Sequence, residues 1–353
     1  MSTPDFYVVR YKECAHNEWN AFVTECDEAW FWHHSDFQNA WPYGENVSFC
    51  IKNKNNEIVL MQSLVFSGTI RQKKYGWHRW HRIIPYYGKY KHTNRFTSVG
   101  SFARKNGLSK KEERKLREFY LSVMQSLVDE YQIGSFSYSI HATLPPAYWP
   151  SVCPLVNPMI FYGYRNKMSQ AYIIDLCASE DEIFRDYSQT CRNLIHRCKK
   201  DPEIRIVEAQ PTQEDLDKYY SLHVETYHRT GATPHPKKYF ESIFFNVLKN
   251  GICHILFLYR GDTLVVAHNT LLFKDAAYYW TGASITQKGD GETRLLMHEQ
   301  ILYAKKMGCR YFEVGECFPN VLEGKHKGLN DFKKSFGGSI HPIFSGEFVI
   351  PPT

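Results

Sequence analysis

Gly328-Leu329-Asn330-Asp331-Phe332-Lys333-Lys334-Ser335-Phe336-Gly337-Gly338 reads as a short helix with an abrupt stop. Phe332 and Phe336 are four residues apart, so on a helix they share one face and turn inward. Lys333 then sits beside the anchored face, as a cation whose position is set by its neighbours. Gly337 and Gly338 end the helix, because glycine enters the left-handed conformation without steric cost. Ser339 to Phe344 follows and reads as a strand. The same pattern also describes an ordinary amphipathic helix with solvated lysines.

Upstream, Arg310 to Val314 reads as a strand, and Glu313, Gly315 and Glu316 fall at its end, before a loop. Strand ends commonly carry reacting groups, and an acid there can take a proton from an attacking amine. Glu316 is therefore a candidate catalytic residue beside Lys333, and a solvated strand end describes these residues equally well. Glu292 to Met307 reads as a helix stopped by Gly308. It is entered through Gln287-Lys-Gly289-Asp-Gly291, and backbone N–H groups at such a helix start suit a pyrophosphate. That makes Gln287, Gly289 and Gly291 candidate donor-phosphate ligands. The loop is one residue short of the Arg/Gln-x-x-Gly-x-Gly/Ala spacing of acyl-CoA-binding loops, and a plain glycine-rich turn fits it too.

Further back come three strands, Cys253 to Arg260, Thr263 to Phe273 and Ala276 to Ala283, joined at Gly261-Asp262 and Lys274-Asp275. Before them, Thr212 opens a helix to about Arg229, with Glu214, Asp215 and Asp217 at its positive end. Another helix begins at Pro236 and ends at Gly251. Ala171 to Leu176 and Glu203 to Ala209 read as strands. Ser179 and Glu182 form a capping box, and Arg192 to Lys200 continues as a second helix. The expected class is α+β, with helices on a mixed, mainly antiparallel sheet.

In the first half, Asp5 to Arg10, Val47 to Lys52, Glu57 to Arg71 and Ser135 to Ile140 read as strands. Asn17 to Cys26 reads as a helix that turns Trp19, Phe22 and Val23 inward. Asp36 to Trp41 adds one or two helical turns. Lys110 to Tyr131 is a long helix with Leu116, Phe119, Val123 and Leu127 on its apolar face. Thr143 to Pro150, with three prolines, is the expected inter-domain region.

Length and charge sharpen this. A chain of 353 residues with 43% hydrophobic content holds a large core and suggests two domains. The formal charge is +6, but Arg71 to Arg95 carries eight Lys or Arg and no acid, which leaves −2 for the rest. Such local basicity points to an anionic partner. Lys73, Lys74, Arg79, Arg82 and Lys89 suit phosphates, and Tyr86 with Trp77 and Trp80 offers stacking faces for bases. The same residues also suit a membrane headgroup layer or a solvated edge strand. No apolar run approaches the ~18 residues of a membrane span, and Met1 to Arg10 lacks a signal-peptide layout. A cytoplasmic protein is expected, with contact at the inner membrane surface as an option. The ten cysteines contain no Cys-x-x-Cys pair. His33, His34 and Asp36, like His78 and His81, lack a recognised ligand spacing. No metal is expected, and no Ser or Cys nucleophile stands in an elbow context.

Taken together, Phe332-Lys333-x-x-Phe336-Gly337-Gly338 resembles the Phe-Lys-x-x-Phe-Gly signature of the FemABX aminoacyltransferases. Arg192-Asn193-x-Ile195 is similar to that family's Arg-Asn-x-Ile helix. Ile84-Pro85-Tyr-Tyr-Gly88 looks like its Pro-x-Gly-Pro turn with Lys89 replacing the last proline, and Glu313-Val-Gly315 resembles its Asp-x-x-Gly strand end. The resemblance implies two GNAT-like domains, with the final strand returning to the first. The expected boundaries are 1–160 plus 340–353, and 161–339. It implies transfer of an aminoacyl group from aminoacyl-tRNA to an amine of a peptidoglycan precursor. Close relatives act as acyl-CoA-dependent N-acyltransferases. By carry-over Lys333 stabilises the anionic tetrahedral intermediate, and Arg192 and Asn193 support substrate. No stretch reads as a long helical hairpin for tRNA, so an amino sugar stands beside peptidoglycan as acceptor. The expected co-substrate is aminoacyl-tRNA or acyl-CoA, with no tightly bound cofactor. A non-catalytic RNA- or membrane-binding role for Arg71 to Arg95 is the competing expectation.

Overall fold

The computed structural model describes residues 5–68, 94–100, 102–140, 157, 165–167, 169–285, 291–319 and 321–349, with only the backbone of 135–140 and 348–349. The stretches 71–93, 143–150 and 286–290 therefore lie outside the described residues. The chain divides into two compact units, Met1–Met168 with Phe344–Thr353, and Ser169–Ile343.

The first unit holds strands β1 (Phe6–Arg10), β2 (Glu45–Asn46), β3 (Phe49–Asn53), β4 (Ile58–Gln62), β5 (Val65–Ser67), β6 (Arg95–Val99), β7 (Phe102–Arg104), β8 (Ser135–Ile140) and β9 (Arg165–Asn166). Its longer helices are α1 (His16–Glu25), α2 (Ser35–Ala40) and α3 (Lys110–Tyr131). One antiparallel sheet runs β1-β3-β4-β7. In a second, β8 pairs parallel with β6, which pairs antiparallel with β5 and then β2.

The single strand expected over Glu57 to Arg71 is two strands in two sheets. Ser63 and Leu64 break it: the Ser63 hydroxyl donates to Trp32 O, and Leu64 N donates to the Ser48 hydroxyl. These side-chain partners replace the ladder, so the chain changes sheets without glycine or proline. Strands β6 and β7 had no counterpart in the sequence reading. Helix α3 starts and stops as expected, with a Ser109–Glu112 capping box and Gln132 at φ +51°. Its buried face is Leu116, Tyr120, Met124, Leu127 and Tyr131 rather than one through Phe119 and Val123, which flank it half-buried.

The second unit runs β10 (Ser169–Asp175), α4 (Glu180–Asp186), α5 (Gln189–Lys199), β11 (Ile204–Glu208), α6 (Gln213–Arg229), α7 (Lys237–Ser242), β12 (Cys253–Arg260), β13 (Thr263–Phe273), β14 (Ala276–Ser284), α8 (Glu292–Lys306), β15 (Tyr311–Cys317), α9 (Gly324–Lys334) and the first half of β16 (Ser339–Val349). A π-helical stretch, Ile243–Leu248, prolongs α7. The strand order is β11-β12-β13-β14-β15-β10-β16, and only β14–β15 is parallel.

Period-two alternation sorts the sheet's two faces. Leu256 and Leu258 join one core with Ile183, Ile195, Leu296 and Phe336, under α4, α5 and α8. Phe257, between them in sequence, meets Tyr219 of α6 instead. Mixed, mainly antiparallel sheets flanked by helices are the expected α+β architecture. Eight of the nine described cysteines are buried, as small core residues tend to be.

Candidate active site

Strands β14 and β15 pair over only three residues: Ala276 with Tyr311, Ala277 with Phe312, and Tyr278 with Glu313. Beyond that, β14 follows β13 to Ser284, and β15 follows β10 to Cys317. A wedge opens between two strands that are each still held on their outer side. Both carry a β-bulge at the parting. On β14 the extra residue is Trp280, since Thr281 pairs with Asn269 and Tyr279 with Thr270. On β15, Val314 and Gly315 oppose the single Tyr172, and Gly315 has φ +86°. A left-handed glycine is what this bulge geometry takes, and bulges re-aim side chains beside functional sites. Glu313, Gly315 and Glu316 lie at the strand's end as expected, and the strand runs past Val314 because the bulge lets pairing continue to Cys317.

Helix α9 delivers Lys333 to this parting. Phe336 is fully buried, which contributes about 1.5–3 kcal/mol. It meets Phe332 edge-on at 5.2 Å and Tyr187 at 5.3 Å. The Arg294 guanidinium covers Phe332 at 5.5 Å. Gly337 and Gly338 have φ +69° and +79°. A Cβ on Gly338 would fall 2.4 Å from Ile173 O, so no other residue fits where the chain crosses β10. Asp186 Oδ2 accepts from Gly338 N at 2.7 Å. The turn is therefore held from both sides, and α9 has one seat.

From that seat Lys333 Nζ donates to the Glu316 carbonyl oxygen. A Cβ on Gly315 would stand 3.4 Å from Nζ and 3.8 Å from Tyr279 O, both ordinary contact distances, so Gly315 packs against the ammonium and it is the positive φ that calls for glycine. Burial lowers the Lys333 pKa from its ordinary value, against the opposing pull of Cys317, Glu316 and Glu313. Glu313 is fully buried, whereas the Glu316 side chain is exposed and its main chain makes the contact.

The other expected site residues fall elsewhere. The Arg192 guanidinium donates to Arg185 O at 2.7 Å and to Tyr187 O, which satisfies the end of α4. Asn193 is exposed. Gly291 is the N-cap of α8 at φ +94°, and a Cβ there would lie 3.0 Å from Cys198 Sγ and 3.1 Å from Leu194 Cβ. It lets α8 start against α5. Glu292 follows, buried, with Oε1 2.5 Å from Arg260 Nη2. Lys73, Lys74, Arg79, Arg82, Tyr86, Lys89, Gln287 and Gly289 lie outside the described residues. Arg294 and Tyr279 escaped the sequence reading, because neither stands in a motif. Gly315 carried a signal, as a glycine amid strand residues.

Residues 185–334 match the acetyltransferase (GNAT) domain family, a span that opens in α4 and closes on α9 just past Lys333. No curated protein matches the chain in sequence. Among solved structures, FemX is similar at TM-score 0.66 and 12% identity, over 98% of this chain and 97% of its own. The C-terminal domain of an Agrobacterium fabrum protein assigned as a lysylphosphatidylglycerol synthetase is similar at TM-score 0.54 and 11% identity, over 94% and 91%. N-myristoyltransferase from Saccharomyces cerevisiae, with bound myristoyl-CoA, is similar at TM-score 0.50 and 12% identity, over 99% and 83%. The match of residues 185–334 to the GNAT domain supports an acyltransferase, and the FemABX-like resemblance holds at the level of fold along the chain.

Proposed function

We propose that the chain moves an aminoacyl group from an activated ester to an amine of a cell-envelope molecule. One observation carries this reading: the Lys333 ammonium is fixed beside Gly315 where β14 and β15 part. The likeness to FemX and to the lysylphosphatidylglycerol synthetase domain supports an aminoacyl donor and an envelope acceptor.

The acceptor amine attacks the ester carbonyl, and a tetrahedral oxyanion forms. The Lys333 ammonium faces that charge, and a preorganised cation in a half-buried site is worth on the order of 3 kcal/mol there. Collapse breaks the ester C–O bond, and the leaving hydroxyl takes the proton that the amine gives up. The ester is already activated, so positioning and charge stabilisation suffice. Glu316 serves through its carbonyl, as the anchor of Lys333. A peptidoglycan precursor and an amino sugar both present such an amine. The expected outcome is transfer from charged tRNA to an envelope amine that Lys333→Met lowers by ~100-fold or more at unchanged folding. Full transfer by a folded Lys333→Met protein would sink the reading.

The acyl-CoA alternative draws on the acetyltransferase family match and on the myristoyl-CoA-bound neighbour. One feature weighs against it. The first turn of α8, where a pyrophosphate would sit, already holds the buried Glu292 carboxylate. That side chain occupies the first turn, although Arg260 at 2.5 Å balances its charge, so the obstacle to a pyrophosphate is occupancy of the helix start rather than net repulsion. Calorimetric titration with coenzyme A separates the two: no heat is expected, and saturable micromolar binding would transfer the assignment to acyl-CoA.

A further inference from the structure

A second polar site lies on the face under α8, built from residues that take no part in the Lys333 site. His254 of β12 is 6% exposed, and its ring stacks on Tyr303 of α8 with centroids 3.5 Å apart and planes 6° apart. Gln300 lies one turn before Tyr303. Its Nε2 donates to His254 O at 3.2 Å and to His268 O at 3.1 Å. Those two bonds orient the amide, so Gln300 Oε1 faces His254 Nδ1 at 2.9 Å and accepts. Nδ1 therefore carries the imidazole proton, and Nε2 is left as a lone pair.

Among the described residues Nε2 has no hydrogen-bond partner, and it faces Glu208 Oε1 at 3.4 Å. Two acceptors confront each other with no donor between them. They border a cavity of about 400 Å³. Glu180, Glu299 and Lys306 supply its other charges, and Ile206, Leu302 and Tyr303 its apolar wall. Glu299 is paired with Lys199 at 3.2 Å. Glu180, Glu208 and Lys306 then leave a single net negative charge facing the space.

We propose that this cavity binds a primary amine, an alkylammonium whose N–H groups donate to both His254 Nε2 and Glu208 while its carbon chain lies on Tyr303 and Leu302. A cation with N–H donors satisfies both acceptors at once and balances the net charge. Burial also holds the His254 pKa below its ordinary value, which keeps the lone pair available near neutral pH. The ligand class follows from the donors required: a quaternary ammonium of equal charge offers none. The site owes nothing to the acyl-transfer reading, and either can fail without the other.

The test is a titration of the full chain with n-butylammonium, followed by calorimetry and by the imidazole ¹⁵N resonances of His254. Saturable binding is expected, with the Nε2 resonance moving from its bare lone-pair position to a hydrogen-bonded one. Glu208→Gln, at an exposed side chain, keeps the fold and weakens binding roughly tenfold or more. Tetramethylammonium leaves the spectrum unchanged. Absence of saturation, equal binding of tetramethylammonium, or indifference to Glu208→Gln would each overturn the proposal.

Discussion

Lys333 meets two opposing demands. Its ammonium is useful to an oxyanion because it is withdrawn from water, and for the same reason it is costly to the fold. Removing the charge should therefore separate activity from stability. Lys333→Met is expected to keep or raise the melting temperature while transfer falls, a pair of readouts that a merely structural lysine would not give. The pH dependence follows from the direction of its shift. The folded-state pKa is lowered from 10.5, and the active form is the protonated one. Activity is thus full below that lowered pKa and is lost as pH rises through it, so the alkaline limb of kcat/KM should come earlier than for an ordinary lysine. Between the folded and unfolded values the unfolded chain binds more protons, so stability rises with pH in that window. Lys333→Met should abolish that slope in urea denaturation at stepped pH. This residue was legible in the sequence because Phe332 and Phe336 fix its phase on the helix. Glu316 was legible as its neighbour but not in its role, since it acts through a main-chain oxygen instead of its carboxylate, and carbonyls leave no mark in a sequence.

The elements that frame the site turn on glycines, and two of them separate by experiment. Gly315→Ala adds a Cβ 3.4 Å from Lys333 Nζ at a backbone φ of +86°. It should cost on the order of 1–3 kcal/mol in denaturant unfolding through that positive φ, and lower kcat as the strained strand shifts the Glu316 carbonyl that anchors Lys333. Gly338→Ala puts its Cβ 2.4 Å from a backbone oxygen, which cannot swing aside. The expectation there is insoluble protein rather than a slow enzyme, read from expression and circular dichroism. A soluble, fully active Gly338→Ala variant would show that the turn is not the fixed seat of α9. The boundary at Ser179 was readable because a capping box has a spacing. The break at Ser63 and Leu64 was not. It depends on Trp32 O and the Ser48 hydroxyl, partners distant in sequence. The two bulges share that limit. Gly315 hints at one, while Trp280 looks like any strand aromatic, and only the opposing register reveals the extra residue.

At the scale of the whole chain, β16 is one strand with two employments. Ser339 to Ile343 pairs with β10 in the second unit, and Phe344 to Val349 pairs with β8 in the first. Truncation after Ile343 should therefore leave the second unit's ladder intact and strip β8 of its partner on one side. Hydrogen exchange would then show protection kept along β10 and lost along β8; protection surviving along β8 would contradict the pairing. The return of the last strand was expected from family resemblance alone, since Ser339 to Phe344 carries no sequence mark of its destination. The same feature sets a timetable. Strand β8 precedes the residues that complete its ladder by roughly 200 positions. At about 5–20 residues per second of synthesis, the nascent first unit waits on the order of ten to forty seconds with an open β edge. The second unit's β10 waits for the first half of the same strand, Ser339 to Ile343, so both units complete their ladders together when β16 emerges, and the need for chaperone cover should fall on the ribosome-bound stage.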